Sequence, residues 1–177
     1  MGLSMGATAM VARRVGEKDI KSAEVAAAQA IFVGIGLSIA ISVVGIFFSE
    51  DLLRLMGASE QLIRKNSGYA RWMLSGNITI MMLFLINGIF RGAGDASIAM
   101  RSLWLANILN IILDPIFIFG LGPVPAFGVE GAAIATNLGR GVGVLYQIYH
   151  LHKGKGMIKL HAQNFVGRWD IVTRLVK

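Results

Sequence analysis

Asn107, Asn110 and Asp114 recur at i, i+3 and i+7 inside an apolar stretch, Ser102 to Gly120, that reads SLWLANILNIILDPIFIFG. On a helix these offsets fall on one face, so the three side chains form a polar stripe along an oily rod. A carboxylate inside a membrane span is costly and as a rule faces a cavity or a partner. Pro115, directly after the acid, removes a backbone donor and clashes with the carbonyl of Ile111. A kink is expected there, with a loosened carbonyl beside Asp114. Carboxylate, amides and a freed carbonyl suit a small hard cation, sodium for example, or a proton. The plainer alternative is a buried acid satisfied by neighbouring amides, with no part in transport.

The elements that must position these residues follow from composition. Of 177 residues, 55% are hydrophobic and only 15% charged, and the mean hydropathy is +0.64. A soluble domain carries about 25% charged residues, so the deficit indicates a membrane protein. The absence of cysteine excludes a disulfide framework, thiol chemistry and a thiolate metal site. The net charge of +7 lies between apolar runs, not in a patch with interleaved aromatics, which argues against nucleic acid as a partner and for a lipid bilayer.

Residues 1–12 are small and apolar, with no leading basic region to mark a secretory signal. They amount to about 18 Å of helix, short of a hydrocarbon core of about 30 Å, so this element is expected to be a truncated helix. Val25 to Ser49 is free of charge and reads as a full span. Glu50 to Lys65 reads as a polar loop with an amphipathic insert, Leu52 to Met56. Trp72 to Phe90, with Tyr69 and Ala70 before it, reads as a second span. Arg91-Gly92-Ala93-Gly94-Asp95 has the glycines of a phosphate cradle but no preceding strand and no third glycine, so it reads as a turn between helices. Ile98 to Gly120 is the third span, Leu121 to Phe127 a short connection, and Gly128 to Leu151 a fourth span. In the basic tail, Trp169, Val172 and Leu175 or Val176 share one side, the pattern of an interfacial helix. The expected fold is an all-α membrane protein, a multi-span helical bundle of about four full transmembrane helices plus the truncated first one.

Lysines and arginines cluster at Arg13–Lys21, Arg91–Arg101 and Lys153–Lys177, against Arg54, Arg64 and Lys65 on the other side, so the first set is expected to be cytoplasmic. Helical rise then places Asp114, Thr136 and Tyr69 about 8 to 10 Å below the outer surface on three different helices. Asn110 lies a turn deeper, and Asn77, Asn107 and Asn137 within a few turns. Asp114, Asn110, Thr136 and Tyr69 are therefore the candidate cation or proton site, with Asn107, Arg140 and Asn77 as candidate cavity lining. Tyr69 fits an interfacial aromatic belt equally well, and Thr136 could bond a carbonyl of its own helix. Arg140, one turn past Thr136, needs a carboxylate, carbonyls or water in mid-membrane, or snorkels on its long stem. Asn87 lies too far from Asp114 in depth to touch it and reads as a cap or a bridge between helices. His150, His152 and His161 sit at or beyond the inner surface without the spacing of a metal site, and beyond a sodium ion at Asp114 no metal or cofactor is expected.

Taken together, Ala12-Arg13-Arg14-Val15-Gly16-Glu17-Lys18-Asp19, Tyr69-Ala70-Arg71, Gly88 to Asp95, Asn107 to Asp114, and the run from Phe119-Gly120 through Gly128-Val129-Glu130-Gly131 to Thr136 resemble the multidrug and toxic compound extrusion (MATE) transporters in order and spacing. The resemblance implies part of a twelve-helix fold of two six-helix lobes. Residues 1–152 would be the amino-terminal lobe from the end of helix two to helix six, and 153–177 a cytoplasmic inter-lobe linker. It implies a multi-pass protein of the cell membrane, not an enzyme, that exports amphipathic, often cationic drugs or xenobiotics in exchange for sodium or protons. Asp114, Asn110 and Thr136 would be its cation-site residues and Tyr69 a nearby hydrogen-bonding tyrosine. Helix one, with a further acid, and the carboxy-terminal lobe would be its missing partners. A related flippase for lipid-linked or polysaccharide precursors is the alternative; phosphate recognition wants several cavity cations, and Arg140 is the one deep candidate. A membrane-embedded enzyme lacks the required histidines or cysteines within a span.

Overall fold

The computed structural model describes residues 2–153 and 156–159. Among these, six helices run in order: α1 (Gly2–Gly16), α2 (Ile20–Leu55), α3 (Glu60–Ser75), α4 (Asn77–Gly92), α5 (Ala96–Phe119) and α6 (Val129–Lys153). The interfacial helix expected around Trp169 lies outside the described residues.

The turn from α1 to α2 is set by charge. Glu17 accepts from Arg13 and Arg14 at 3.0 Å each, Lys18 takes the left-handed φ of 59°, and Asp19 caps α2 by accepting from the Ser22 amide at 3.1 Å. The 36 residues of α2 rise about 54 Å, well beyond a hydrocarbon core of about 30 Å. The charged residues Glu50, Asp51 and Arg54 thus stay helical, where a loop from Glu50 to Lys65 was expected. A helix satisfies its own backbone on either side of the membrane surface, so charge alone does not end it. The deviation that does occur is a kink at Phe48, with φ −120° and ψ 17°. The connection shrinks to residues 56–59, and Ser59 caps α3 by accepting from the Leu62 amide at 3.4 Å.

The second expected span is two helices, α3 and α4, bent by 40° at Gly76. A Cβ on Gly76 would lie 2.1 to 2.3 Å from the side-chain amide of Asn137 on α6, so a side chain at this position would displace Asn137. In contrast, α5 continues through Pro115 as one helix, the third span expected from Ile98 to Gly120. Proline deletes one backbone bond, to the Ile111 carbonyl, and the helix on either side carries on until Gly120, whose left-handed φ of 73° ends it.

α4 is the central helix, packed on α1, α2, α5 and α6, and its Leu85, Ile86, Ile89 and Phe90 are each at most 2% exposed. The most extensive helix pair is α5–α6. There the backbones nearly touch: a Cβ on Gly139 would lie 2.9 Å from the Ala106 carbonyl oxygen, a contact that side-chain rotation cannot relieve. Large apolar residues, among them Phe32, Phe47, Trp104, Ile111, Phe119 and Leu145, face outward, as contact with lipid requires. Among the described residues α2 and α5 are long and apolar enough to cross a membrane alone, and α3 and α4 are so only if the bent pair is taken as one span. α6, the expected fourth, has the length at 25 residues but carries Glu130, Asn137, Arg140 and Gln147 among its glycines.

Candidate functional site

Toward the Gly120 end of the α5–α6 seam, Asn110, Asp114 and Thr136 meet. The amide Nδ2 of Asn110 donates to Asp114 Oδ1 at 3.0 Å, one turn along α5, and to Thr136 Oγ1 at 3.3 Å across the seam on α6. All three are partly buried. The i, i+4 step puts the first pair on one face, and the close backbones at Gly139, one turn from Thr136, bring the hydroxyl within reach.

The donor set is a carboxylate, a hydroxyl and an amide on the wall of a bundle. That set fits a hard monovalent cation or a proton. The Asn110 NH2 group bonds the two oxygens. A cation between them calls for the amide oxygen instead, which a half-turn of the amide supplies. Among the described residues no three His, Cys, Asp or Glu side chains converge, and Asp114 is the one carboxylate of this cluster.

The other candidates lie elsewhere. Tyr69 is half-buried on α3, which packs on α2, α4 and α6 but not on α5, and among the described residues it makes no hydrogen bond to the cluster. Asn107 continues the stripe but is exposed. Asn77 opens α4, and its Nδ2 is buried without a partner among the described residues. Arg140 is half-buried, with no ion pair among the described residues.

A second polar cluster, which the sequence reading missed, occupies the other end of the seam. Gln147 Nε2, with two protons, has three acceptors in reach: Asn87 Oδ1 at 2.7 Å, Ser102 Oγ at 2.9 Å and the Leu83 carbonyl at 3.3 Å. Ser102 Oγ, with one proton, has the Ala99 carbonyl at 2.7 Å and Asn87 Oδ1 at 3.0 Å. Exposures are 2% for Asn87 and 0% for Ser102 and Gln147. Asn87 does bridge helices, as one of its two sequence readings has it. The usable signal was a glutamine in a helix otherwise rich in glycine and apolar residues. A groove of about 1210 Å³ lies apart from both clusters, between α2, α4 and α6, with Ile35, Met82 and Leu145 on its walls and Thr79 and Asn137 on its polar margin.

Comparison with known proteins follows the same lines. A family model described as MatE matches residues 1–116. An FAD transporter of Shewanella oneidensis is 32% identical over 77% of this chain and 30% of its own length. The multidrug export protein MepA of Staphylococcus aureus is 27% identical over 89% of this chain and 34% of its own. A solved structure, the inward-facing conformation of a multidrug resistance MATE family transporter of the MOP superfamily, superposes with a TM-score of 0.88 at 35% identity. It covers 99% of this chain and 39% of that one. The chain thus spans about a third of the length of the proteins it matches. It is an all-α, multi-helix membrane protein, its homologues are transporters and not enzymes, and the chain belongs to the MATE family.

Proposed function

We propose that this chain supplies the cation-coupling lobe of a secondary multidrug exporter of the cell membrane. Asp114, Asn110 and Thr136 hold the sodium ion or proton whose entry drives efflux of amphipathic, often cationic compounds. The observation that carries this reading is the Asn110 amide held between the Asp114 carboxylate and the Thr136 hydroxyl across two helices. Desolvation favours the neutral carboxyl, while amide donors and a cation favour the charged one. A partly buried acid on a wall between helices can therefore exchange its proton or ion as the surroundings open and close. One charge crossing about 100 mV makes about 2.3 kcal/mol available, enough to bias a two-state transporter. Alternating access needs a second lobe moving against this one, so a preceding helix with a further acid and a carboxy-terminal lobe belong to the proposal.

The test is efflux of a fluorescent cation from vesicles under an imposed sodium or proton gradient, using the longest open reading frame that contains the chain. Asp114→Asn should insert at wild-type abundance and abolish gradient-driven efflux. Unchanged efflux would refute the assignment.

Arg140 favours a second reading. Half-buried and without an ion pair among the described residues, it could meet an anionic cargo such as a flavin dinucleotide or a lipid-linked precursor. In that case Arg140→Leu would eliminate export of an anionic dye while leaving cationic dye efflux intact.

A further inference from the structure

We propose that Asn137 is a positioning residue that ties the charge state of the Asp114–Asn110–Thr136 cluster to the bend at Gly76; this rests on the cation-site reading above. Thr136 and Asn137 are consecutive on α6, and their side chains leave the helix about 100° apart. One reaches α5 and the other the α3–α4 junction. Thr136 Oγ1 accepts from Asn110 at 3.3 Å. Asn137 Nδ2 donates to the Trp72 carbonyl at 2.9 Å, and Asn137 Oδ1 accepts from Thr79 Oγ1 at 3.3 Å.

These contacts are the fabric of the bend. A helix end leaves its last carbonyls without intrahelical partners. At the end of α3 the Trp72 carbonyl accepts from the Gly76 amide at 3.0 Å, from Ser75 Oγ at 3.2 Å and from Asn137 Nδ2 at 2.9 Å, and the Ser75 carbonyl accepts from Ser42 Oγ of α2 at 3.0 Å. The single Thr79 hydroxyl proton has two acceptors in reach, the Gly76 carbonyl at 2.9 Å and Asn137 Oδ1 at 3.3 Å, so it lies between the junction and Asn137. The bend is held from two neighbouring helices, with Gly76 giving Asn137 the room to enter. It is not fully satisfied: Asn77 Nδ2, at the head of α4, is buried without a partner among the described residues.

A direct covalent and hydrogen-bonded path therefore runs from Asp114 through Asn110 and Thr136 to Asn137 and on to Trp72 and Thr79. When the carboxylate loses its charge or takes an ion, the Asn110 amide changes which atom it presents, and the Thr136 hydroxyl follows. Asn137 moves with the same backbone and resets the bend. Thr79 and Asn137 also border the apolar groove between α2, α4 and α6, so a change of bend alters the width of that groove.

The test uses the whole chain in lipid nanodiscs. It contains no cysteine, so spin labels go cleanly onto Arg64→Cys on α3 and Leu121→Cys after α5. A change of about 10° in the bend swings residue 64, about 18 Å of helix from Gly76, through about 3 Å. Asp114→Asn, which fixes the neutral state, is expected to shift the label distance by about that much. The shift should vanish in an Asn137→Ala background, and also in Asn137→Asp, which keeps the acceptor for Thr79 but loses the donor to Trp72. Sodium binding and proton uptake by Asn137→Ala, measured in parallel, should stay within about threefold of wild type, a difference under about 1 kcal/mol. An equal shift with and without Asn137, or no shift in either background, overturns the proposal while the cation site stands. Cation binding that survives Asp114→Asn removes the cation site and this proposal together.

Discussion

The two polar clusters on the α5–α6 seam are built in opposite ways. Asp114, Asn110 and Thr136 contain a carboxylate, are all partly exposed, and are joined by one amide. Asn87, Ser102 and Gln147 contain no ionised group, are almost fully buried, and are joined by bonds that converge from α4, α5 and α6. A buried neutral network in a low-dielectric interior ties its helices together, here with Asn87 Nδ2 and Gln147 Oε1 left unpartnered among the described residues. A charged cluster on a wall does less for the fold and keeps access to an ion. The same seam thus separates holding helices together from handling charge, at opposite ends.

Substitutions can break or sharpen that contrast. The largest expected effect comes from Gly139→Val, between the clusters, where even a Cβ meets the Ala106 carbonyl. Overpacking against backbone should cost about 3 kcal/mol, and both stability in mixed micelles and cation binding should fall. Next is Gln147→Leu, which removes the donor shared by Asn87 and Ser102. Unfolding should become easier by about 2 kcal/mol, the cost of leaving buried polar groups unpaired, with cation affinity unchanged in the folded fraction. Asn110→Ala should do the converse, weakening cation binding about tenfold, or about 1.4 kcal/mol, with little change in the unfolding midpoint. Equal losses of stability in the last two variants would erase the distinction.

The smallest effect lies in the turn before α2. The hydroxyl and amide of Ser22 hold the Asp19 carboxyl below its usual range. A depressed carboxylate contributes stability above its ordinary range and loses it as pH falls through the folded value. Protection of the Ser22 and Ala23 amides against exchange, relative to the unfolded rate at the same pH, should therefore fall at acid pH, and should be low in Asp19→Ala at all pH values, without touching either cluster.

The carboxylate cluster was largely legible in the sequence. Asp114 and Asn110 share a helical face by spacing alone, and the depth of Thr136 followed from counting residues in its span. Tyr69 matched the same depth, yet depth carries no azimuth, and α3 turns out to lie against α6 with no packing on α5. The neutral network was not legible: Ser102 looked like the start of an apolar run, and a lone Gln147 does not announce its partners. The break at Gly76 was hidden for a related reason. Its cause is Asn137, remote in sequence, entering where a side chain would stand. Pro115 shows the reverse, a strong local signal inside a helix that runs on as one element.

The central claim, that Asp114 organises a cation site, is tested most directly by equilibrium binding of radioactive sodium to the chain in nanodiscs, with proton release followed on sodium addition and proton uptake on acidification. The account predicts Asp114-dependent sodium binding or proton exchange that is lost in Asp114→Asn, weakened in Asn110→Ala and Thr136→Ala, and retained in folded Gln147→Leu. Wild-type sodium binding and proton exchange in Asp114→Asn would contradict it.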